Sequence, residues 1–298
     1  MKIFMTGSSG FVGRHLAWAL LEKGHDVIGL GHRHKSLEHQ RFTFLQADAT
    51  RSGEWQNAVG GVDAIINLAG VNIFSRWTDK YKQAIYDSRI LTTRNLVDAL
   101  PSDCKCTFVS TSAAGYYGDQ GDTLLDEETP PGNDFLAEVC VDWEKAAFAA
   151  EKKGARVVTT RFGVVLDKSG GALAKMLPAF RMGLGGKIGS GRQWFPWIQL
   201  CDLIAATEFV LTNESLRGPV NFTAPQAVKN SQFTRALGEA LHRPTFFTVP
   251  SPLLRLVAGE LGSLVLYSQR VTPGKLLSNG FVFQYPDIHS ALKKSTAS

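Results

Sequence analysis

The chain begins with a short apolar segment, a glycine-rich turn and a helix-like segment. Residues 2–6 have the length of a strand, three glycines follow at GxxGxxG spacing, and residues 14–23 read as a helix. Glycine permits a sharp turn and lets backbone N–H groups approach a ligand with no Cβ in the way. The first N–H groups of a helix have no partner within it, so a diphosphate binds there favourably. The contacts that this turn predicts for a dinucleotide are Gly7, Gly10, Phe11, Val12 and Gly13.

The context of the turn strengthens this prediction. Gly24 ends the helix, and residues 26–30 form a second apolar segment at the distance that a βαβ unit needs. A tight turn that binds no ligand is the alternative interpretation, and the βαβ context argues against it.

The end of the second predicted strand indicates which dinucleotide binds. An acidic residue here would bind the ribose hydroxyls of NAD, whereas a basic residue accommodates the 2′-phosphate of NADP. This chain has no acid there, and His32 and Arg33 are the candidate ligands of the phosphate, with Lys35 a weaker one. The segment therefore predicts NADP(H), and a solvated basic turn is the alternative.

Further cofactor contacts are predicted at the ends of later strands. Asp48 follows the strand 42–46 and either accepts a hydrogen bond from adenine or caps the next helix. The apolar segment 62–70 reads as a strand buried on both faces and ends in small residues that let a cofactor pass. Arg89 lies on the predicted helix 79–100 and can reach the cofactor from the side. The remaining predicted contacts are Leu68, Ala69, Gly70 and, after a later strand, Val164.

A fifth predicted strand, beginning at residues 107–110, ends in hydroxyl groups. Ser112, Tyr116 and Tyr117 follow it, and hydroxyls at this edge of the sheet can orient a reacting carbonyl or alcohol oxygen. These three residues are the predicted catalytic groups. A Ser/Thr turn with two packed tyrosines is the alternative.

Several segments together resemble one family. The opening turn, Asn67 to Gly70 and Ser110 to Gly118 are similar to extended short-chain dehydrogenases/reductases of the sugar-nucleotide epimerase type. More closely, the chain resembles the epimerase-like NADP-binding subfamily in the segments RWT, SAAGYYG, RFGVVL, GLGGKIGSGRQWFPWI and VTPGKLLSNGFVFQYPD. The resemblance covers essentially the whole chain. It implies NADP(H), a C-terminal domain of unassigned role, and an oxidoreductase or epimerase reaction on a sugar nucleotide or similar carbonyl or alcohol.

The chain departs from that family in its acid/base pair. The family mechanism implies Tyr-x-x-x-Lys, in which lysine lowers the pKa of tyrosine, and no such pair exists in this sequence. The corresponding segment, 134–145, reads as a helix in which Cys140 lies on an apolar stripe and Glu138 lies beside it. We interpret Cys140 as a packed thiol rather than a nucleophile. An NADP(H)-binding regulator with little or no catalysis is therefore the alternative function.

The segment from Gly189 to Trp197 is rich in glycine and tryptophan. In sugar-nucleotide members of the family this region holds the substrate, so Arg192 is predicted to bind an anion and Trp194 or Trp197 to stack on the substrate. Tryptophans that pack a domain junction are the alternative. Asp202 is predicted to cap a helix over 203–211.

Composition limits the remaining classes of protein. The 298 residues carry 32 Lys and Arg against 27 Asp and Glu with no block of like charge, so no nucleic-acid partner is implied. The four cysteines do not have zinc-site spacing, and no apolar run of membrane-spanning length occurs. We expect a cytoplasmic monomer or homodimer without a metal. The predicted fold is α/β: a Rossmann-type doubly wound parallel sheet over 1–220, with 165–200 contributing to a substrate lobe, and a small C-terminal α+β domain over 221–298.

Overall fold

The computed structural model describes residues 1–32, 37–252, 254 and 259–297. Within these ranges the helices are α1 (Phe11–Glu22), α2 (Asp79–Asp98), α3 (Phe135–Phe148), α4 (Gly171–Arg181), α5 (Leu200–Thr212), α6 (Asn230–Leu241), α7 (Glu260–Leu264), α8 (Gly274–Ser278) and α9 (Ile288–Thr296). The strands are β1 (Lys2–Thr6), β2 (Asp26–Gly31), β3 (Phe42–Gln46), β4 (Ala64–Asn67), β5 (Thr107–Ala113), β6 (Leu124–Leu125), β7 (Arg156–Phe162), β8 (Val164–Leu166), β9 (Gly186–Ile188), β10 (Trp194–Phe195), β11 (Trp197–Gln199), β12 (Gly218–Phe222), β13 (Val228–Lys229), β14 (Phe247–Val249) and β15 (Arg270–Val271).

The central sheet has seven parallel strands in the order β12-β7-β5-β4-β1-β2-β3. The chain starts in the middle at β1 and winds first to one edge and then to the other. All carboxyl ends therefore meet at one edge, with the change of direction beside β1.

Helices cover both faces of this sheet. In β1 the side chains of Ile3 and Met5 pack in the core beneath α1 and α5, whereas Phe4 packs on the opposite face with residues of α2 and α3. Alternate residues of a strand point to opposite faces, and burying each side chain of this size stabilises the fold by roughly 1.5–3 kcal/mol. The predicted doubly wound Rossmann-type fold is confirmed.

A third apolar cluster joins the segment before residue 200 to the C-terminal segment. It joins residues of α4, α6 and α9 with Leu166 of β8 and Trp197 of β11. The segment before residue 200 and the C-terminal segment thus share one core. The contribution of 165–200 to a substrate lobe stays a prediction. The domain boundary at residue 220 stays a prediction.

Asp202 does not cap a helix, which corrects the prediction. Helix α5 begins at Leu200, and the side chain of Gln199 accepts the capping N–H of Cys201. The fully buried carboxylate of Asp202 instead accepts the backbone N–H groups of Gln284 at 2.7 Å and Tyr285 at 3.0 Å. Burial raises the pKa of Asp202. This carboxylate therefore anchors the C-terminal segment to the Rossmann body.

The structure also describes the cysteines, the possible metal ligands and the hydropathy of the helices. Cys104 and Cys106 form a disulfide, and Cys140 and Cys201 are free. Within the described ranges, His, Cys, Asp and Glu side chains form no group of three that could hold a metal ion. The helices of the same ranges are too short or too polar to cross a membrane.

Candidate active site

The predicted glycine turn, residues 7–13, lies at the centre of the sheet edge where the carboxyl ends of the strands meet; we call it the glycine cradle. Gly7 has φ of +67°, and a Cβ there would lie 2.8 Å from the Leu68 carbonyl oxygen. A Cβ on Gly13 would overlap the Gly7 carbonyl, so side chains are excluded at both positions. Gly10 is the residue before α1, and as a glycine it offers the first turn of that helix no capping side chain. Its N–H groups are therefore available to a diphosphate, which the geometry fits.

The loop after β8 covers one side of this turn. The Phe11 ring packs so closely that a Cβ on Gly170 would overlap it, and Arg14 donates from Nη2 to the Ser169 carbonyl at 2.9 Å. Val12 packs instead on the core beneath α1. Phe11 and Val12 thus support the turn through their side chains and can offer a cofactor only their backbone or, for Phe11, a ring edge.

Thr6 fixes the end of β4 beside the turn. Its hydroxyl donates to Asn67 Oδ1 at 2.7 Å and accepts the N–H groups of Leu68 and Ala69, each at 3.2 Å. The amide of Asn67 continues this buried network to Thr93 at 2.8 Å. Leu68 and Ala69 therefore lie against the glycine turn, and their contact with a cofactor stays a prediction. The sequence reasoning missed Thr6, although a hydroxyl at the last position of β1 is a usable signal.

Arg89 lies at the same place. Its Nη2 donates to the Val71 carbonyl at 3.2 Å, and its Cζ would be 3.0 Å from a Cβ on Gly70. The guanidinium also lies over the Trp143 ring, 5.2 Å from the centroid. Burial lowers the pKa of Arg89, but a guanidinium remains charged. A permanent cation thus stands beside the end of β4.

The predicted 2′-phosphate end of the cradle is only partly described, because Arg33 and Lys35 lie outside the described residues. His32 Nε2 lies 3.8 Å from Asp48 Oδ1. Asp48 accepts both the backbone N–H and the hydroxyl of Thr50, at 2.9 and 2.7 Å. Burial would raise the pKa of Asp48, and these hydrogen bonds lower it overall. Asp48 therefore closes a turn rather than capping the next helix, and its adenine contact stays a prediction.

The hydroxyl-bearing end of β5 rests on a buried ion pair. Arg161 of β7 binds Glu144 of α3 through two parallel hydrogen bonds, Nε to Oε1 at 2.8 Å and Nη2 to Oε2 at 2.9 Å. The two side chains are only 3% and 6% exposed. Ser112 donates its proton to Glu144 Oε1 at 2.7 Å. Although burial disfavours its charge, the carboxylate holds the pKa of Arg161 above its usual value.

The two predicted catalytic tyrosines occupy different environments around Arg161. Tyr117 is fully buried, accepts a hydrogen bond from Arg161 Nη1 at 3.0 Å, and has Asn221 Oδ1 at 2.7 Å as an acceptor for its own proton. Burial raises the pKa of Tyr117 to about 12. Tyr116 is half-buried, and its ring stacks on Arg161, whose Cζ lies 3.5 Å from the centroid. Burial also raises the pKa of Tyr116, so both phenols are neutral and Tyr116 is the more accessible.

We expect the free energy of unfolding to fall as the pH rises from about 10 to about 12. Above the pKa of an unfolded tyrosine, near 10, the unfolded chain loses the Tyr117 proton while the folded chain keeps it. Stability that is present below pH 10 is therefore lost as the pH rises through the folded pKa, by about 3 kcal/mol at most. Urea unfolding at about pH 9 and about pH 11 measures this loss, which should be smaller in Tyr117→Phe. The same loss in both proteins would contradict the assignment.

Helix α3 corresponds to the segment that carries Tyr-x-x-x-Lys in the family. In this chain it carries Glu138 and Cys140 instead. Cys140 is buried, with Sγ 3.9 Å from the Ala113 carbonyl oxygen, and burial raises the pKa of its thiol to about 12. Glu138 is exposed in the first turn of α3. These environments support the interpretation of Cys140 as a packed thiol rather than a nucleophile.

The predicted substrate residues separate in space. Trp197 is 1% exposed and packs in the third apolar cluster. Its indole N–H donates to the Gln226 carbonyl at 3.1 Å, and the residue lies opposite Val164 in the β11·β8 pair. Its indole thus matches the packing alternative and presents no face to a ligand. Arg192 is exposed, and Trp194 is half-buried with its indole N–H 2.6 Å from Asp122 Oδ1.

A cation that the sequence reasoning missed lies beside Trp194. Arg270 of β15 has its Cζ 4.8 Å from the indole centroid, and Lys229 has its Nζ 5.0 Å from the same ring. Within the described part of the chain, the buried Nε of Arg270 has no hydrogen-bond partner. The cluster of Arg270, Lys229 and Trp194 is thus a candidate for binding an anion. Long-range contacts bring Arg270 here, among them the hydrogen bond from the Gln269 N–H to the Trp194 carbonyl at 3.2 Å, so the sequence contained no local signal.

Comparisons with known proteins agree with this geometry. Residues 3–222 match the model of the NAD dependent epimerase/dehydratase family, and residues 249–295 match a domain of unknown function, DUF1731. A chloroplastic SDR39U1 homolog of the epimerase family from Arabidopsis thaliana is 41% identical over 98% of this chain and 86% of its own.

Two solved structures extend the match to three dimensions. Human epimerase family protein SDR39U1, solved with NADPH, is 31% identical, covers 99% of both chains and has a TM-score of 0.86. A nucleoside-diphosphate sugar epimerase from Corynebacterium glutamicum is 34% identical over 99% of this chain and 58% of its own, with a TM-score of 0.78. The family resemblance predicted from the sequence is confirmed: the chain belongs to the NAD dependent epimerase/dehydratase family and carries a DUF1731 domain at its C-terminal end.

Proposed function

We propose that the protein is an NADP(H)-dependent oxidoreductase or epimerase that acts on a carbonyl or alcohol substrate bearing an anion, of the sugar-nucleotide type. One observation carries the proposal. Ser112 and Tyr116 both contact the buried Arg161–Glu144 ion pair, Ser112 through Glu144 and Tyr116 through Arg161. This ion pair lies at the same edge of the sheet as the glycine cradle. The predicted NADP(H) cofactor is confirmed by the family match and by the human relative solved with NADPH.

Separate parts of the chain would hold the cofactor. The glycine turn and the first N–H groups of α1 fit the diphosphate, and Leu68 to Gly70 are assigned to the nicotinamide side. From the sequence alone, His32 and Arg33 are assigned to the 2′-phosphate. When bound, the nicotinamide supplies or accepts a hydride. The protein's own part is to fix the substrate and to move a proton.

Tyr116 is the proposed proton donor. A neutral phenol suffices to protonate the oxygen formed in carbonyl reduction, and burial keeps the phenol neutral by raising its pKa. Ser112 is 1% exposed and gives its own proton to Glu144, so it is assigned to positioning the ion pair beneath Tyr116. Tyr117 is assigned a positioning role, because its phenol is already enclosed by Arg161 and Asn221.

The substrate anion is assigned to the cations around Trp194. Lys229 and Arg270 have their cationic groups over the indole ring, Asp122 lies 3.7 Å from the Lys229 Nζ, and the exposed Arg192 precedes Trp194 by two residues. A nucleoside diphosphate combines the charge that such cations bind with a base that stacks on an indole. The description of the Corynebacterium relative as a nucleoside-diphosphate sugar epimerase supports this substrate class. A cytoplasmic location and a monomer or homodimer stay predictions.

We expect NADPH to bind at least about tenfold more tightly than NADH, because one charge-assisted contact to the 2′-phosphate contributes about 1.5–3 kcal/mol. Calorimetry with both cofactors measures the difference, and Arg33→Ala should reduce it. Equal affinities in the wild type would contradict the assignment of the basic segment.

We expect slow NADPH oxidation with some members of a panel of sugar nucleotides, ketones and aldehydes. Tyr116→Phe should remove most of the activity because it deletes the donated proton, at a cost of about 100-fold or more. Ser112→Ala should act in the same direction, and Cys140→Ala serves as the control for packing next to the site. Activity that persists in Tyr116→Phe and Ser112→Ala but is lost in Glu138→Gln would place the acid on α3.

A second function is supported by one observation. The absence of Tyr-x-x-x-Lys, together with two tyrosine phenols of raised pKa, is compatible with an NADP(H)-binding regulator. Tight NADPH binding without oxidation by any panel member would favour that function over the enzyme.

A further inference from the structure

The segment 268–275, which lies within the DUF1731 region, packs against the loop that follows β5. Ser268 accepts the N–H of Gln120 at 3.0 Å through its carbonyl, and its hydroxyl donates to the Gly121 carbonyl at 2.6 Å. Gln269 donates from Nε2 to the Gly118 carbonyl at 2.9 Å. Strand β15 then pairs in parallel with β6. The C-terminal segment thus follows the loop along its length.

Apolar side chains also pack between the segment 268–275 and the loop after β5. Val271 is buried with Leu125, Ala114 and Tyr117 in one cluster, which Tyr116 also contacts. Both tyrosines of the candidate site therefore pack in a cluster that includes a C-terminal side chain.

Asn221 joins the C-terminal segment to Tyr117. Its Nδ2 donates to the Thr272 carbonyl at 2.9 Å, and its Oδ1 lies 2.7 Å from the Tyr117 hydroxyl. Asn221 is itself fully buried. Since Arg161 donates to the same hydroxyl and binds Glu144, the hydrogen bonds continue without a gap from Thr272 to the hydroxyl of Ser112.

Glu127 makes a second connection of the same kind. Its Oε1 accepts the backbone N–H groups of Asn221 and Lys275, each at 3.1 Å, and its own carbonyl accepts from Arg161 Nη1 at 3.2 Å. Glu127 is 5% exposed. One carboxylate thus ties the start of α8, the end of β12 and the loop after β6 together.

We propose that the segment 268–275 is a positioning element of the candidate site: it holds the loop after β5, and through Asn221, Tyr117, Arg161 and Glu144 it sets the position of the Ser112 hydroxyl. The proposal gives part of the DUF1731 region a role in the site itself rather than only in the stability of the lobe. It rests on the proposed function only in treating Ser112 and Tyr116 as parts of an active site.

The molecule offers a matched control in Asp202. Like Asn221 and Glu127, it is a buried side chain that ties the C-terminal segment to the Rossmann body, but its partners are Gln284 and Tyr285. None of the hydrogen bonds of its carboxylate reaches Tyr117, Arg161 or Ser112 within the described residues. Asp202→Asn therefore weakens the same attachment without touching the proposed connection.

The thiol of Cys140 serves as the reporter, because Ser112 and the Ala113 carbonyl lie next to it. In a Cys201→Ser background under native conditions, Asn221→Ala should raise the rate of Cys140 modification by a thiol reagent by about tenfold, as expected for one lost buried hydrogen bond. Amide hydrogen exchange over 116–125 should quicken together with it. Asp202→Asn should leave both rates near the wild-type values.

Glu127→Gln provides a second variant if Asn221→Ala does not fold. Equal rates in wild type, Asn221→Ala and Glu127→Gln would overturn the proposal, and so would an equal increase in Asp202→Asn, which would indicate a general stabilising role. For any panel substrate that is turned over, Asn221→Ala should lower kcat with little change in the KM for NADPH. The labelling and exchange measurements require no substrate, so a failure of the proposed enzyme activity remains distinguishable from a failure of this proposal.

Discussion

Gly10→Val is expected to reduce NADPH affinity by about 100-fold while the protein stays folded. Gly10 is exposed at the start of α1, and a Cβ there would lie 3.1 Å from the Gly7 carbonyl oxygen. The two methyl groups of valine would therefore extend to the side from which the diphosphate approaches the N–H groups. Losing two hydrogen bonds to a charged group, at about 1.5–3 kcal/mol each, accounts for a change of this size.

Gly60→Val is the matched control for this substitution. Gly60 is exposed in the turn before β4, and the nearest atom to a Cβ there is the Asn57 carbonyl oxygen at 3.9 Å. Valine at this position is thus added at an exposed turn away from the glycine cradle, with only an ordinary van der Waals contact to the backbone. Calorimetric titration of NADPH, with circular dichroism to confirm folding, compares the two variants. Wild-type affinity in folded Gly10→Val would show that the dinucleotide binds elsewhere.

The glycine cradle was predictable because its signal is local. Strand, turn and helix follow one another within the first 23 residues, and the backbone geometry that each glycine permits does not depend on distant residues. The parallel arrangement of the sheet follows similarly from apolar segments separated by helices. The exact ends of elements were less accurate, as for α1, which begins at Phe11 instead of Arg14.

The surroundings of the hydroxyl groups could not be predicted, because they depend on contacts between distant segments. Arg161 reaches Tyr117 across 44 residues of sequence, and Asn221 reaches it across 104. Likewise, Trp194 and Trp197 are separated only by Phe195 and Pro196, yet one indole is half-buried beside cations and the other lies in the core. No periodicity within that short segment distinguishes them.

The largest effect on stability is expected from Arg161→Met, at a cost of about 3–5 kcal/mol in the free energy of unfolding. The substitution leaves the Glu144 carboxylate buried and opposed only by the Ser112 hydroxyl. Breaking one side of a buried pair is costly because the remaining charge has neither water nor a counter-ion. Urea unfolding measures the loss, and Arg161→Lys, which keeps the charge but not the planar fork, should cost less.

Arg235→Met gives the comparison with an exposed ion pair. Arg235 and Glu239 are joined by one hydrogen bond, Nε to Oε1 at 3.0 Å, instead of the two parallel bonds of the buried pair, and their side chains are 81% and 49% exposed. Water screens such a pair on a helix surface, so its loss should change stability by no more than about 0.5 kcal/mol. The double variant Glu144→Leu/Arg161→Met should recover part of the loss in Arg161→Met, because it removes the unpaired carboxylate as well. Similar costs for the buried and the exposed pair, or no recovery in the double variant, would mean that Arg161 stabilises the site by packing alone.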